Sequence, residues 1–565
     1  MKRSLPLVGL CALVAACGGS ETGTGAPASP TAESRQTARI EPGAILERIR
    51  VLASDEYEGR APGTKGEDLT VSYLVEESKK LGLQPGNPDG TYVQKVPLVG
   101  ITGAEAQPLT IGKGNQKRRF KWANEVVAWT KRVTDTASID DSDLIFAGYG
   151  VTAPEYSWDD FKGIDVRGKT LVVLVNDPQV PGAGDPSKLD PKMFNGQAMT
   201  YYGRWTYKYE KAAELGAAGL LIVHETGPAG YPFAVVQGFL GERFDLVTEN
   251  KNVNRASIEG WLSLDAANEL FTMAGQDFDA LKKQAVTRDF KPVPLGLKAS
   301  MGLRNTMRTI DSQNVVAKVE GSDLRMKEEY VVYSSHWDHL GVGEPVDGDR
   351  IHNGALDNAS GVAALLEIAR AFAQAQPKPK RSILFLFVTA EEQGLLGSEY
   401  YATHPLYPLE QTVANVNIDG VNQWGRTSDI TVIGMGASDL DDYLREAATA
   451  QNRTLVPDPE SEKGFYYRSD HFNFAKVGVP ALYTDTGTTF TGQDESYSKT
   501  KRDEYTANDY HKPSDEIKPD WDLSGAVEDA ELMFMVGFDV ANADTFPEWK
   551  PGNEFKTARD AMMKK

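Results

Sequence analysis

Residues 381–390 read RSILFLFVTA, an apolar run that starts after one charge and stops at the pair Glu391-Glu392. A run of this length without alternation predicts a strand buried on both faces, the kind found inside parallel sheets. Upstream, EYVVYSS (329–335) has the same texture, and between the two ASGVAALLEIARAFAQA (359–375) carries helical spacing. Downstream come TVANVNID (412–419), DITVIG (429–434), DLDDYLREAATAQ (439–451), PALYTD (480–485) and a last helix through Val527 to Val540. From about Asn305 onward, strands alternating with helices predict an α/β fold: a mostly parallel mixed sheet flanked by helices. Ligands of such sheets bind at the carboxyl ends of the strands.

Toward the amino terminus the texture changes. DLIFAGYGV (143–151), GKTLVVLVND (168–177), KYEKAAELGAAG (208–219) and LLIVHE (220–225) are short strands, turns and a helix, and they predict a smaller α/β insertion over 138–292. His224 at a strand end has no companion ligands and reads as structural. Further back, PGAILERIRVLAS (42–54) spaces Ile45, Ile49 and Leu52 on one helical face, the loop EYEGRAPGTKGE follows, and a second helix is expected from Leu69 to Lys80. The main domain is thus expected in two parts, 39–137 and 293–548, with a tail at 549–565.

Residues 18–38, rich in Gly, Ser, Thr, Ala and Pro, cannot bury enough surface to order themselves and read as a flexible linker. Before them MKRSLPLVGLCALVAAC has a basic start, a short apolar run and small residues ahead of Cys17, the pattern of an export signal. Val14-Ala15-Ala16-Cys17 resembles a bacterial lipobox. The expectation is a lipoprotein on the periplasmic face of a bacterial membrane, or a secreted chain, with membrane contact only through a lipid anchor. Cys11 would leave with the signal, so at most one of the two cysteines remains and no internal disulfide is expected. With 565 residues, 41% hydrophobic and 25% charged, the chain has material for more than one core. Its net charge of −20 and lack of a basic face exclude nucleic acid as an expected partner. No oligomeric state follows from these features.

Only seven histidines occur, and two lie where a metal site would want them. His336 directly follows EYVVYSS, and His511 lies in YHKPSD. Asp357 sits in GALDNASG before a helix, Glu391 and Glu392 end RSILFLFVTA, and Asp419 ends VANVNID. Each alone has an ordinary explanation: Asp357 near a helix N-terminus, the glutamates in a solvated turn, Asp419 as a turn former, and either histidine hydrogen-bonded in a core. Together, two imidazoles and three carboxylate positions at one sheet edge match the nitrogen and oxygen donors that zinc accepts. Two metals about 3.5–4 Å apart need a carboxylate that reaches both, with Asp357 the candidate bridge. A neighbouring Glu that does not ligate can move protons; Glu391 is that candidate and Glu392 the ligand. Asp338 is placed to orient the His336 imidazole.

The strings SSHWDHLG, NGALDNASGVAALLEIAR, TAEEQGLLGS, NVNIDGV, RSDHFNFAKVGVPAL and YHKPSDE resemble, in order and spacing, the co-catalytic zinc aminopeptidase family, which includes bacterial leucyl aminopeptidase, aminopeptidase Y and glutamate carboxypeptidase. The resemblance covers 45–84 and about 305–540. It implies two Zn2+ per chain: His336, Asp357 and Asp419 around one, and Asp357, Glu392 and His511 around the other. It also implies Glu391 as general base, Asp338 as histidine orienter, a cis Asp357–Asn358 peptide and peptide substrates. FAGYGVTAPEYSWDDFKGIDVRGKTLVVLVND and YEKAAELGAAGLLIV resemble the protease-associated domain of many members.

The aromatic segment GFYYRSDHFNF could wall a substrate pocket or pack the core, so Tyr466, Tyr467, Ser469 and Asp470 are candidate substrate contacts. Tyr466, Tyr467 and Tyr510 are equally placed by sequence to stabilise an oxyanion. An aminopeptidase is the expected activity. A carboxypeptidase or dipeptidase of the same family, a one-zinc glutaminyl cyclase and a non-catalytic receptor-like relative are the alternatives.

Overall fold

The computed structural model describes residues 39–564, so the expected signal, lipobox and linker at 1–38 lie outside the described residues. The strands foreseen in the second half form the heart of one large sheet. Ser382–Val388, Tyr330–His336, Thr412–Asn417 and Ala481–Asp485 lie side by side and parallel, and every residue of the first three is buried. Burial on both faces is what an unbroken apolar strand demands. Beyond Ala481–Asp485 the sheet continues through Asp429–Ile433, antiparallel to it, and Thr454–Pro457.

The helices Pro42–Leu52, Gly361–Gln374 and Ser524–Asn542 share one core with this sheet, with Ile45, Ile49 and Leu52 of the first fully enclosed. Gly361–Gln374 is buried almost all round because it lies between sheet and outer helices. The second helix runs Lys65–Lys80, four residues earlier than its spacing indicated, because Thr64 caps it by accepting from the Gly66 N–H at 3.2 Å.

On the other side of Ser382–Val388 runs Val293–Val319, a strand of 27 residues. Val93–Lys113 pairs antiparallel along it from Val93↔Val315 to Gly112↔Lys298. The far half of Val293–Val319 carries Thr136–Phe146, after which come Thr170–Leu174, Gly219–Val223, Ile258–Leu262 and Val126–Trp129. The insertion and the main domain are therefore joined by a continuous sheet. Val126–Trp129, read from sequence as part of the 39–137 segment, belongs to the edge of the insertion's sheet. The insertion has its own apolar clusters on the two sheet faces, one around Phe146, Phe271 and Phe278 and one around Trp261 and Tyr209. The segment read as a tail also packs: Trp549 and Phe555 join a core with Tyr467 and Phe472. Among the described residues no helix is long and apolar enough to cross a membrane.

Candidate metal centre

The carboxyl ends of three parallel strands meet at one edge. His336 is the last residue of Tyr330–His336, Glu391 and Glu392 follow Ser382–Val388, and Asp419 follows Thr412–Asn417. Asp357 arrives from the turn before Gly361–Gln374 and His511 from the loop after the helix Tyr497–Asn508.

Two sets of donors face one another across Asp357. His336 Nε2 lies 3.4 Å from Asp357 Oδ1 and 3.2 Å from Asp419 Oδ1. His511 Nε2 lies 3.3 Å from Asp357 Oδ2 and 3.1 Å from Glu392 Oε2. Four donors held tetrahedrally around a zinc ion at 2.0–2.1 Å are separated by about 3.3 Å, and the imidazole–carboxylate separations in each set match that edge. Each Asp357 oxygen faces a different set, as a bridging ligand must. The Asp357–Asn358 peptide is cis, in line with what the resemblance implies.

The turn that presents Asp357 is held by Asp515, whose carboxylate accepts from the N–H groups of Leu356 and Asp357, both at 3.0 Å. Asn358 Oδ1 accepts from Gly361 N at 3.0 Å and Gly420 N at 2.8 Å, tying this turn to the one carrying Asp419. Burial pushes Asp515 up to about 6.

Asp338 does a different job from the one its spacing suggested. His336 Nδ1 bonds the Asp338 backbone carbonyl at 3.1 Å, while the carboxylate stands 3.8 Å away. That carboxylate instead accepts from the backbone N–H groups of Glu391 at 3.0 Å and Glu392 at 3.3 Å, fixing the strand end that carries both. Enclosure pushes Asp338 up to about 8, with the Glu392 charge adding and His336 opposing.

The substrate candidates separate. Tyr466 stacks parallel to Phe555 and meets His471 edge-on, and Tyr467 packs on Phe472 and donates to Glu554 at 2.9 Å; both are core side chains, not pocket walls. Ser469 donates to Asp419 Oδ2 at 2.6 Å and accepts from Asn417, so it sits behind Asp419. Asp470 is fully buried, accepts from Ser398 at 2.6 Å and is pushed up to about 6 by burial. Of the three tyrosines left open as oxyanion partners, Tyr510 alone lies over the site, stacked on His511 with ring centroids 3.9 Å apart.

Sequence reasoning missed His339. Its Nδ1 lies 2.6 Å from Glu392 Oε1, and its donor atom lies within 4.8 Å of those of Asp357 and Glu392. The 2.6 Å separation is shorter than a tetrahedral edge and is a charge-assisted hydrogen bond, so His339 holds the oxygen of Glu392 that faces away from His511. The signal was present as a second histidine in SSHWDHLG. Two arginines were missed as well. Arg468 Nη2 donates to the Tyr510 hydroxyl at 3.4 Å and feels the Glu391 charge. Arg204, from the insertion, neighbours Arg468, Tyr231 and Tyr510; its Nε is buried without a partner, and burial, reinforced by Arg468, brings it down to about 10. Neither guanidinium forms an ion pair among the described residues.

Comparison with known proteins agrees with this geometry. Residues 314–535 match the model of peptidase family M28. A mouse protein, aminopeptidase NAALADL1, is 31% identical over 169 residues, 27% of this chain and 21% of the relative, so the chain spans about a fifth of that relative's length. A probable leucine aminopeptidase 2 of Aspergillus oryzae is 25% identical over 445 residues, 77% of this chain and 69% of the relative. The solved aminopeptidase from Aneurinibacillus sp. strain AM-1 superposes with a TM-score of 0.50 at 18% identity, covering 90% of this chain and 96% of that one, a likeness of fold. Strand order, donor geometry and family match converge on residues 314–535, the stretch that matches the model of peptidase family M28.

Proposed function

We propose that the chain is a zinc-dependent metallo-exopeptidase that removes N-terminal residues from peptides. The observation that carries this reading is the pair of donor sets sharing Asp357, with edges of 3.1–3.4 Å and Glu391 beside them. His336, Asp357 and Asp419 would hold one zinc ion, and Asp357, Glu392 and His511 the other. Bound there, the pair would supply a water of lowered pKa and polarise the scissile carbonyl. Glu391 Oε2, 3.9 Å from His336 Nε2, takes the proton from the attacking water and passes it to the leaving amine. Tyr510, stacked on His511, and Arg468, which donates to its hydroxyl, would stabilise the negative charge developing on the carbonyl oxygen. The residues 138–292 act as a protease-associated unit that shapes access. The segment 1–17 directs export and lipid attachment at Cys17.

A second reading, a dipeptidase or carboxypeptidase, is favoured by the two arginines without a carboxylate partner. A substrate carboxylate beside the scissile bond would supply the anion that Arg204 and Arg468 lack.

The zinc-loaded chain assayed on aminoacyl amides, dipeptides and amino-blocked peptides, with and without chelator, tests both. Release from free-amino substrates that chelator abolishes is expected, and E391Q should keep its metal but lose nearly all turnover. Cleavage of amino-blocked peptides alone would overturn the aminopeptidase reading. A rise in KM for dipeptides but not for amides in R204M would establish the second. One bound zinc per chain would favour the cyclase, and none a receptor-like relative.

A further inference from the structure

Arg60 lies upstream of residues 314–535, as the last residue of the short 3-10 helix Asp55–Arg60 that follows the first helix. Its side chain is 1% exposed and ends beneath the metal centre. Nε donates to the Trp337 carbonyl at 2.9 Å, Nη1 to Leu52 at 2.7 Å and Asn353 at 2.6 Å, and Nη2 to Gly354 at 2.9 Å. Trp337 lies between His336 and Asp338, and Asn353 and Gly354 open the turn that carries Asp357. The Arg60 carbonyl in turn accepts from His339 N at 3.4 Å. One guanidinium thus ties together the loops that supply a donor to each metal set, a task that needs a planar fork of several N–H groups.

The neighbourhood holds this fork in place. Gly59 has φ +64° and a Cβ there would run into the carbonyls of His352 and Gly341, so the loop lies flush against the segment leading to Asp357. Burial brings the guanidinium down to about 10 against the opposing field of Asp515, Asp357, Asp338 and Glu392, whose mutual repulsion the cation offsets.

We propose that Arg60 is a positioning residue of the metal centre, which makes the N-terminal segment part of the active site. The inference rests on the two-metal reading above. In the test, wild type, R60K, R60Q and R60A are stripped of metal, checked for folding by circular dichroism, and titrated with zinc against a chromophoric chelator.

Wild type is expected to take two zinc ions, and R60Q to lose about 10–100-fold in affinity. R60K keeps the charge but cannot serve four carbonyls, and should fall between. Millimolar guanidinium ion should recover part of the loss in R60A. A wild type without zinc overturns the two-metal reading and this inference with it. Two zinc ions bound by wild type and variants with equal affinity overturn the role of Arg60 alone, even where the variants melt earlier. Variants that stay unfolded in excess zinc assign Arg60 to folding and also overturn it.

Discussion

Glu391 and Glu392 are neighbours in the chain, yet their surroundings drive them in opposite directions. Burial, with the charges of Glu392, Asp419 and Asp470, holds Glu391 well above the usual carboxylate range against the pull of His336. Burial acts on Glu392 in the same sense, but the imidazoles of His511 and His339 outweigh it and hold Glu392 well below. A group kept ready for a proton beside one kept ionised is the division that a base and a ligand require. The histidines show the converse. Burial alone would lower His336 and His511, but facing carboxylates raise both well above the ordinary imidazole value. A raised imidazole is protonated below its new pKa and must shed that proton to ligate, so protons compete with metal and the competition eases as pH rises. Zinc affinity measured by competition should therefore keep increasing as pH rises past the ordinary imidazole range, with about two protons released when both ions bind. At this scale the sequence was informative where a side chain ends an apolar strand, as His336, Glu392 and Asp419 do. His339, Asp515 and Arg204 were not legible in the same way, because their partners come from distant segments. Tyr466 and Tyr467 were ambiguous for another reason: an aromatic run looks alike whether it lines a pocket or fills a core.

Elements are fixed by close approaches that a pattern of apolar residues does not reveal. The helix Ser524–Asn542 lies against Tyr330–His336 where Gly537 meets Tyr333, whose hydroxyl donates to the Met533 carbonyl at 2.7 Å. A Cβ at Gly537 would run into that hydroxyl. G537A should cost about 1–3 kcal/mol in urea denaturation through overpacking, although alanine favours helix. The strand-helix alternation and the edge bearing the candidate donors were legible because continuous apolar strands and 3.6-residue spacing are local signals. The 27-residue span of Val293–Val319 was not, since its far half reads as alternating and half exposed, and only pairing with Val93–Lys113 and Thr136–Phe146 makes it one strand.

Across the whole molecule, the candidate metal donors all hang from the main domain, while the insertion keeps separate apolar clusters. A ligand that binds only the folded state adds about 4 kcal/mol at a thousandfold excess over its Kd. Removing zinc should therefore speed hydrogen exchange in Tyr330–His336 and Thr412–Asn417 and leave Gly219–Val223 and Ile258–Leu262 little changed; equal loss in both would show one cooperative unit. The continuous sheet bears on synthesis as well. Val93 must wait for Val315 to find its pairing partner, and the set around Asp357 is incomplete until His511 has been made. A ribosome releasing this chain from its amino terminus therefore leaves the donor set around Asp357 open until residue 511 has emerged, long after Asp357 and Glu392.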